Sequence, residues 1–242
     1  DRTLDLLDKT MVCAELAGRA EVIEQDIMDN FDVNYKKFEN MSTLAKMSTA
    51  YHESGHAILG KLLKNCDEIQ EVSIIPRGMA GGYTMQRPEN DNSYRSYNYL
   101  MDEIAMCMGG RIAEELIFKD VTTGASGDIN QATKIAHDMV YRYGMSKDLG
   151  FMSLDTSNQV FIGRDYQTKN EFSEKLAAAA DDEIKQILDY NYKRAKKLLS
   201  DNIKLLHEMV KLLFEKETIY KDEVDMLMEG KTCEEIMKIV EK

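Results

Sequence analysis

Residues 52–56 read His-Glu-Ser-Gly-His. On a helix, side chains four apart lie one above the other on the same face. His52 and His56 can therefore aim two imidazole nitrogens at a single ion about 2 Å away. Glu53 stands three residues before His56 and flanks that face, within reach of a water beside the ion. A carboxylate there can take the water's proton as it attacks a peptide carbonyl. That is the physical content of an H-E-x-x-H stretch. The plain alternative is an ordinary helix that happens to carry two histidines, and the chain holds an example: "HEMVK" at His207 to Lys211 begins the same way but ends in lysine. We read His207 as a helix residue without a metal role. Gly55 and Gly60 lie within the same segment. Each costs about 1 kcal/mol against alanine in a helix, which implies close approach of another backbone or of a substrate.

Two histidines do not complete a site. The extended pattern, with glycine three residues and histidine six residues after the second histidine, fails here because Leu59 and Leu62 occupy those positions. His137, Glu114, Glu115 and Asp128 remain as possible third ligands. His137 falls mid-helix beside charged residues, and the two glutamates sit in "GGRIAEEL". Asp128 closes the turn "TTGASGD" and opens the next helix, an N-cap position where aspartate is common for structural reasons alone. Spacing does not choose among them.

The elements that must carry these residues are mostly helical. Leu4, Leu7, Met11, Leu16, Ala20, Ile23 and Ile27 have close to helical spacing, and residues 30–40 form a more polar connection. Ser48 or Thr49 is the expected cap of the histidine helix, whose apolar face is Met47, Ala50, Ala57, Ile58, Leu62 and Leu63. The period then shortens: residues 68–78 and "GGYTMQ" (Gly81 to Gln86) predict two short strands divided by glycine and proline. Leu100, Ile104, Met108, Ile112 and Leu116 fall four apart and predict one long buried helix over about 99–118. A turn at 122–128 leads to a helix ended by Gly144. Residues 150–170 predict a loop or weak hairpin. From Glu171 onward everything reads as helix: one to about Leu199, another over 202–215, then two short ones.

Composition narrows the function classes. With 242 residues, 43% hydrophobic and 31% charged, the chain can bury a core without a staple. A net charge of -12 excludes a nucleic-acid role, which needs a basic stripe to displace counterions; the short cluster "KRAKK" at Lys193 to Lys197 reads as a solvated helix face. Cys13, Cys66, Cys107 and Cys233 stand far apart with no C-x-x-C, so reduced thiols in a reducing compartment are expected. No apolar run reaches the length of a membrane span. The chain opens on "DRTLDLLDKT" without an initiator methionine, as a fragment of a longer protein would.

From about Met41 onward, five blocks in order resemble the peptidase domain of the FtsH family of membrane-anchored AAA+ zinc metalloproteases. They are "STAYHESGHAILG", "VSIIPRG", "GGRIAEELIF", "TTGASGDINQAT" and "NYKRAKKLLSDNIKLLHEMVKLL". The resemblance implies that Asp128, in the T-G-A-x-x-D turn, is the third ligand of one zinc ion beside His52 and His56. It implies that Glu53 is general base and acid and that Glu114 stands behind the histidines. Ser54 replaces the family's usual alanine. The expected fold is mainly α (α+β): a zincin-like active-site helix with a small sheet over about 41–170, then a C-terminal helical bundle over about 171–242, preceded by a helical segment over 1–40 that does not align with an ATPase module. No phosphate loop occurs in the chain, so ATP hydrolysis by the family's route needs a module outside it. Gly81, Gly82, Tyr83, Thr84 and Met85 are expected to bind extended peptide by strand addition.

The function this implies is zinc-dependent hydrolysis of unfolded or membrane-derived proteins, fed by an AAA+ ATPase in a hexamer whose interface comes from apolar patches after Glu171. The full-length protein is expected to be membrane-anchored, with this domain on the cytoplasmic side or inside an organelle. A stand-alone peptidase without the ATPase is the nearest alternative. A non-catalytic assembly module is the other, and the intact H-E-x-x-H argues against it.

Overall fold

The computed structural model describes residues 42–76, 80–88, 94–154 and 173–240. The helix expected over 1–30, the connection after it, and residues 155–170 of the expected loop lie outside the described residues.

The histidine helix, α1 (Thr43–Leu62), starts earlier than expected. Ser42 caps it, its hydroxyl accepting from Ala45 N at 3.2 Å, so Ser48 and Thr49 fall inside the helix. Two strands follow, β1 (Glu68–Ser73) and β2 (Tyr83–Arg87), paired antiparallel. A register shift between Ile69 and Glu71 breaks the alternation of faces, which is why Ile69 and Val72 can both be fully buried.

Instead of one long helix there are two, α2 (Tyr97–Cys107) and α3 (Gly109–Phe118), divided at Met108. The fourfold apolar spacing runs across the break, so periodicity alone does not reveal it. Gly109 and Gly110 explain the break: they are poor helix formers, and a neighbouring helix presses against both. A short 3-10 turn (Thr123–Ala125) then leads into α4 (Ser126–Tyr141). The helix ends at Tyr141 with Arg142 as its cap, three residues before the expected Gly144, which takes a left-handed φ of +59° in the turn beyond it.

The remaining helices are α5 (Glu174–Asp201), α6 (Ile203–Lys216), α7 (Lys221–Met228) and α8 (Cys233–Val240). One strand was not expected there: β3 (Thr218–Tyr220) pairs with β1 on the side away from β2, giving the order β2-β1-β3. Three residues are too few for a periodic signal, and Ile219 is held by packing opposite Val72.

Two apolar cores result. One joins α1, β1, α3, α6 and the end of α5; the other joins α2, α4 and the start of α5. Residues of the "KRAKK" cluster bind α5 to the rest rather than only facing solvent. Arg194 reaches Asp102 at 2.7 Å and the Met101 carbonyl at 2.9 Å, and Lys196 reaches Glu115 at 2.7 Å. The apolar face of α6 lies inside: Leu206, Met209, Val210, Leu212 and Leu213 are all buried. Among described residues after Glu171, the exposed large apolar side chains are Tyr190, Tyr220, Ile239 and Val240, a sparse set for an assembly interface. No described helix is long and apolar enough to cross a membrane.

Candidate metal centre and its cleft

The centre forms where α1, α3 and the start of α4 meet. Gly55 permits it, since a Cβ there would lie 2.3 Å from the Gly109 carbonyl oxygen. The backbones of α1 and α3 therefore touch, and this is the close approach that a glycine in the histidine helix implied. Gly110 does a second job: a Cβ on it would lie 2.4 Å from the His52 ring. Gly60 makes room for the Ile69 side chain.

His52 Nε2 and His56 Nε2 are 3.1 Å apart, and Asp128 Oδ2 lies 3.1 Å from the first and 3.4 Å from the second. Corners of a zinc tetrahedron with bonds near 2.0–2.1 Å are about 3.3 Å apart. The three atoms thus stand where one ion would hold them. Asp128 is the third residue of α4 and not its N-cap, which is Ala125. Its carboxylate points into the site and caps nothing.

The other ring nitrogens decide what the Nε2 atoms can do. His52 Nδ1 donates to Glu114 Oε1 at 2.8 Å, and His56 Nδ1 donates to the Met106 carbonyl at 2.8 Å. Neither an ionised carboxylate nor a carbonyl can donate, so each ring, when neutral, carries its hydrogen on Nδ1. Two Nε2 lone pairs and a carboxylate oxygen then face one another. A single proton satisfies at most two of them, whereas one divalent ion satisfies all three. The donor set of two imidazoles and a carboxylate suits zinc. Burial alone would lower the His52 ring, but hydrogen bonds to Asp128 and Glu114 outweigh it and push it up to about 10. Burial would raise Asp128, yet its histidine partners hold it well below the usual carboxylate range. Positive charge is what this pocket favours.

Glu114 does more than support His52. Its second oxygen accepts from Thr122 N at 2.8 Å, at the start of the turn that delivers Asp128. One buried carboxylate thus braces both α1 and the Asp128 turn. Burial would raise its carboxyl, but the bonds from His52 and Thr122 prevail and lower it. Glu115 faces away, bonded to Lys196 and Tyr192. His137 is far from the centre in role, its exposed ring stacked on Tyr141 at 4.2 Å. Among the described residues, His52, His56 and Asp128 are the group arranged to hold a metal ion.

Glu53 lies beside the three donors, buried, with its carboxyl pushed up first by that burial. A cleft of about 560 Å³ opens over the centre, lined on one side by Ala80 to Thr84 and on the other by Thr122, Gly124, Gly127 and Asp128. Gly81, Gly82, Tyr83 and Thr84 thus border the cleft; Met85 does not line it and is exposed. Tyr83 O–H bonds to the Glu71 side chain on the neighbouring strand. Sequence reasoning did not find the Met106 carbonyl, the Gly109–Gly110 contact or the Thr84 hydroxyl on Glu53. The glycine pair beside "RIAEE" was the one available signal.

Comparison with known proteins accords with this geometry. Residues 39–227 match the model of peptidase family M41. This chain belongs to that family. Among M41 relatives, the "ATP-dependent zinc metalloprotease FtsH 1" of Thermoanaerobacter is 48% identical over 200 residues, covering 82% of this chain and 33% of its own length. The "ATP-dependent zinc metalloprotease FtsH" of Caldicellulosiruptor bescii is 48% identical over 229 residues, covering 93% of this chain and 37% of its own. "FtsH 3" of Synechocystis is 40% identical over 234 residues, covering 93% and 38%. The M41 chain thus spans about a third of the length of these curated relatives. Coverage of 93% exceeds what residues after 41 alone can supply, so the similarity runs into the N-terminal segment.

Proposed function

We propose that this chain is a zinc-dependent endopeptidase, the proteolytic part of an ATP-dependent protease acting on unfolded or membrane-derived proteins. The observation that carries the reading is the convergence of two imidazole lone pairs and one carboxylate oxygen within 3.4 Å, next to a buried glutamate. His52, His56 and Asp128 would hold the ion, with Glu114 bracing His52 and the Asp128 turn. Bound zinc supplies a Lewis acid that polarises the scissile carbonyl and acidifies the attacking water. Glu53 takes a proton from that water and later gives it to the departing amine. The raised carboxyl of Glu53 suits a group that must hold a proton between two steps. β2 is an edge strand of the sheet and borders the cleft, so an extended peptide can pair with its main chain through residues 81–85. Main-chain pairing reads few side chains, which fits a protease of broad specificity.

Peptidase chemistry belongs to the unit from about residue 41 to the C-terminus. The relatives are ATP-dependent by name, and their additional length leaves room for an AAA+ module. We infer that residues 1–40 lead into such a module, that six copies assemble, and that the longer protein is membrane-anchored with this part in a reducing compartment.

The test is Glu53→Gln in the zinc-loaded protein. It keeps its zinc and its fold, while cleavage of a casein-like substrate falls about 100- to 10,000-fold, the usual cost of losing a general base. Cleavage within a few-fold of wild type rules out this role for Glu53.

A further inference from the structure

Glu53 is enclosed, with only 8% of its surface exposed, and the segment that encloses it is the start of β2. A Cβ on Gly82 would lie 3.0 Å from Glu53 Cγ, so the chain at Gly82 rides directly on the glutamate's stem. Two residues on, Thr84 Oγ1 donates to Glu53 Oε2 at 2.8 Å, with the Glu53 main-chain oxygen a second acceptor at 3.2 Å. A threonine hydroxyl has one proton to give, and here both acceptors belong to the same residue. The nearer acceptor is Oε2, so the hydroxyl's proton goes chiefly to the carboxylate. Oε2 is engaged, and no hydrogen bond to Oε1 is present among the described residues. The strand making this contact is also the outer strand of the sheet, the one that borders the cleft.

We propose that Thr84 is a positioning residue for Glu53: its hydroxyl caps Oε2, leaves Oε1 as the oxygen that exchanges protons, and ties the orientation of the carboxylate to strand β2. The proposal rests on the reading of Glu53 as general base. It adds a link between substrate and chemistry, because a peptide paired along β2 lies on the strand that orients the base. Threonine at this place has a side-chain role separate from any main-chain pairing.

Thr84→Val keeps the shape and the β-branch but removes the proton; Thr84→Ser keeps the proton. On a short peptide, Thr84→Val lowers kcat roughly 10- to 100-fold, as a displaced catalytic group does, with KM and zinc content unchanged. Thr84→Ser restores kcat towards wild type. A second readout needs no turnover: the side-chain carboxyl 13C resonance of Glu53 in metal-free protein, assigned by its loss in Glu53→Gln. It moves in Thr84→Val and returns in Thr84→Ser. If valine disturbs the strand, as circular dichroism would reveal, Thr84→Ala gives the same two readings. Wild-type kcat or an unmoved Glu53 resonance in the folded valine or alanine variant overturns the proposal. Loss of activity in Glu53→Gln alongside full activity in Thr84→Val overturns only the role of Thr84. Activity retained in Glu53→Gln overturns the general-base reading, and this inference with it.

Discussion

Two helices of this protein carry the dipeptide His-Glu, and the fold treats them differently. In α1, His52 and His56 each have an obligate acceptor behind Nδ1, the Glu114 carboxylate and the Met106 carbonyl. In α6, His207 Nδ1 meets the hydroxyl of Tyr51 at 2.8 Å, a partner that can either give or take a proton. With neutral rings the first arrangement leaves the lone pairs on both Nε2 atoms and turns them to a common point. The second leaves the tautomer open and, among the described residues, brings no further donor to the ring. What fits a histidine to act as a ligand here is the acceptor placed behind it by another element. The two regions also touch, since Tyr51 is the residue just before His52. His207 thus packs on the reverse side of the metal helix, where Tyr51 also meets Phe118 edge to face at 5.5 Å.

Removing the carboxylate at the common point breaks the contrast most severely. Asp128→Ala leaves two histidines without a third donor, and we expect loss of most bound zinc and of all proteolysis, measured by metal analysis and peptide cleavage. Next comes the acceptor itself. Glu114→Ala frees the His52 ring and loosens the Asp128 turn through Thr122, and zinc affinity should fall roughly 10- to 100-fold, as losses behind a ligand do. A chelator competition titration measures it. If Glu114→Ala empties the site while Asp128→Ala stays loaded, the two roles are exchanged.

Smaller effects test the helices rather than the ion. Ser54 lies within His-Glu-Ser-Gly-His, is fully buried, and its hydroxyl has no hydrogen-bond partner among the described residues. A buried hydroxyl without a partner costs about 1–3 kcal/mol, and alanine is the better helix former. Ser54→Ala should therefore raise the unfolding free energy, measured by denaturant titration, by about 1 kcal/mol or more, with zinc binding unaltered. Between the two helices, Tyr51→Phe removes the hydrogen bond from α1 to His207 at about 0.5–1.5 kcal/mol of stability. Its zinc affinity should remain that of wild type in the same titration. A marked loss of zinc in that variant would mean that α6 positions the metal helix more tightly than its contacts suggest.

Much of this was legible in the residues themselves. The spacing of His52, Glu53 and His56 specifies one helix face because the 3.6-residue period is local, and the apolar rows of α4, α5 and α6 follow from the same period. Gly55 announced a close approach, since an unneeded glycine in a helix is costly. Two features escaped for a local reason: three-residue β3 is shorter than any period, and the break at Met108 preserves the apolar spacing on both sides.

The sequence by itself determined that two imidazoles and a glutamate share a helix face, and that most of the chain is helical around a small sheet. Spacing left the third donor open, a family resemblance pointed to Asp128, and only the tertiary structure decided the geometry in which the donors meet. The partners of that face come from 62, 76, 50 and 31 residues away, as Glu114, Asp128, the Met106 carbonyl and Thr84. No local period connects such distances. One of those partners is a main-chain carbonyl, a group that every residue has and that therefore leaves no mark in the sequence. Its usefulness depends on where the chain bends, and the bend at Met108 depends on Gly109 and Gly110 meeting Gly55 and His52. The ligand positions thus follow from packing between helices, which exists only once the chain has folded.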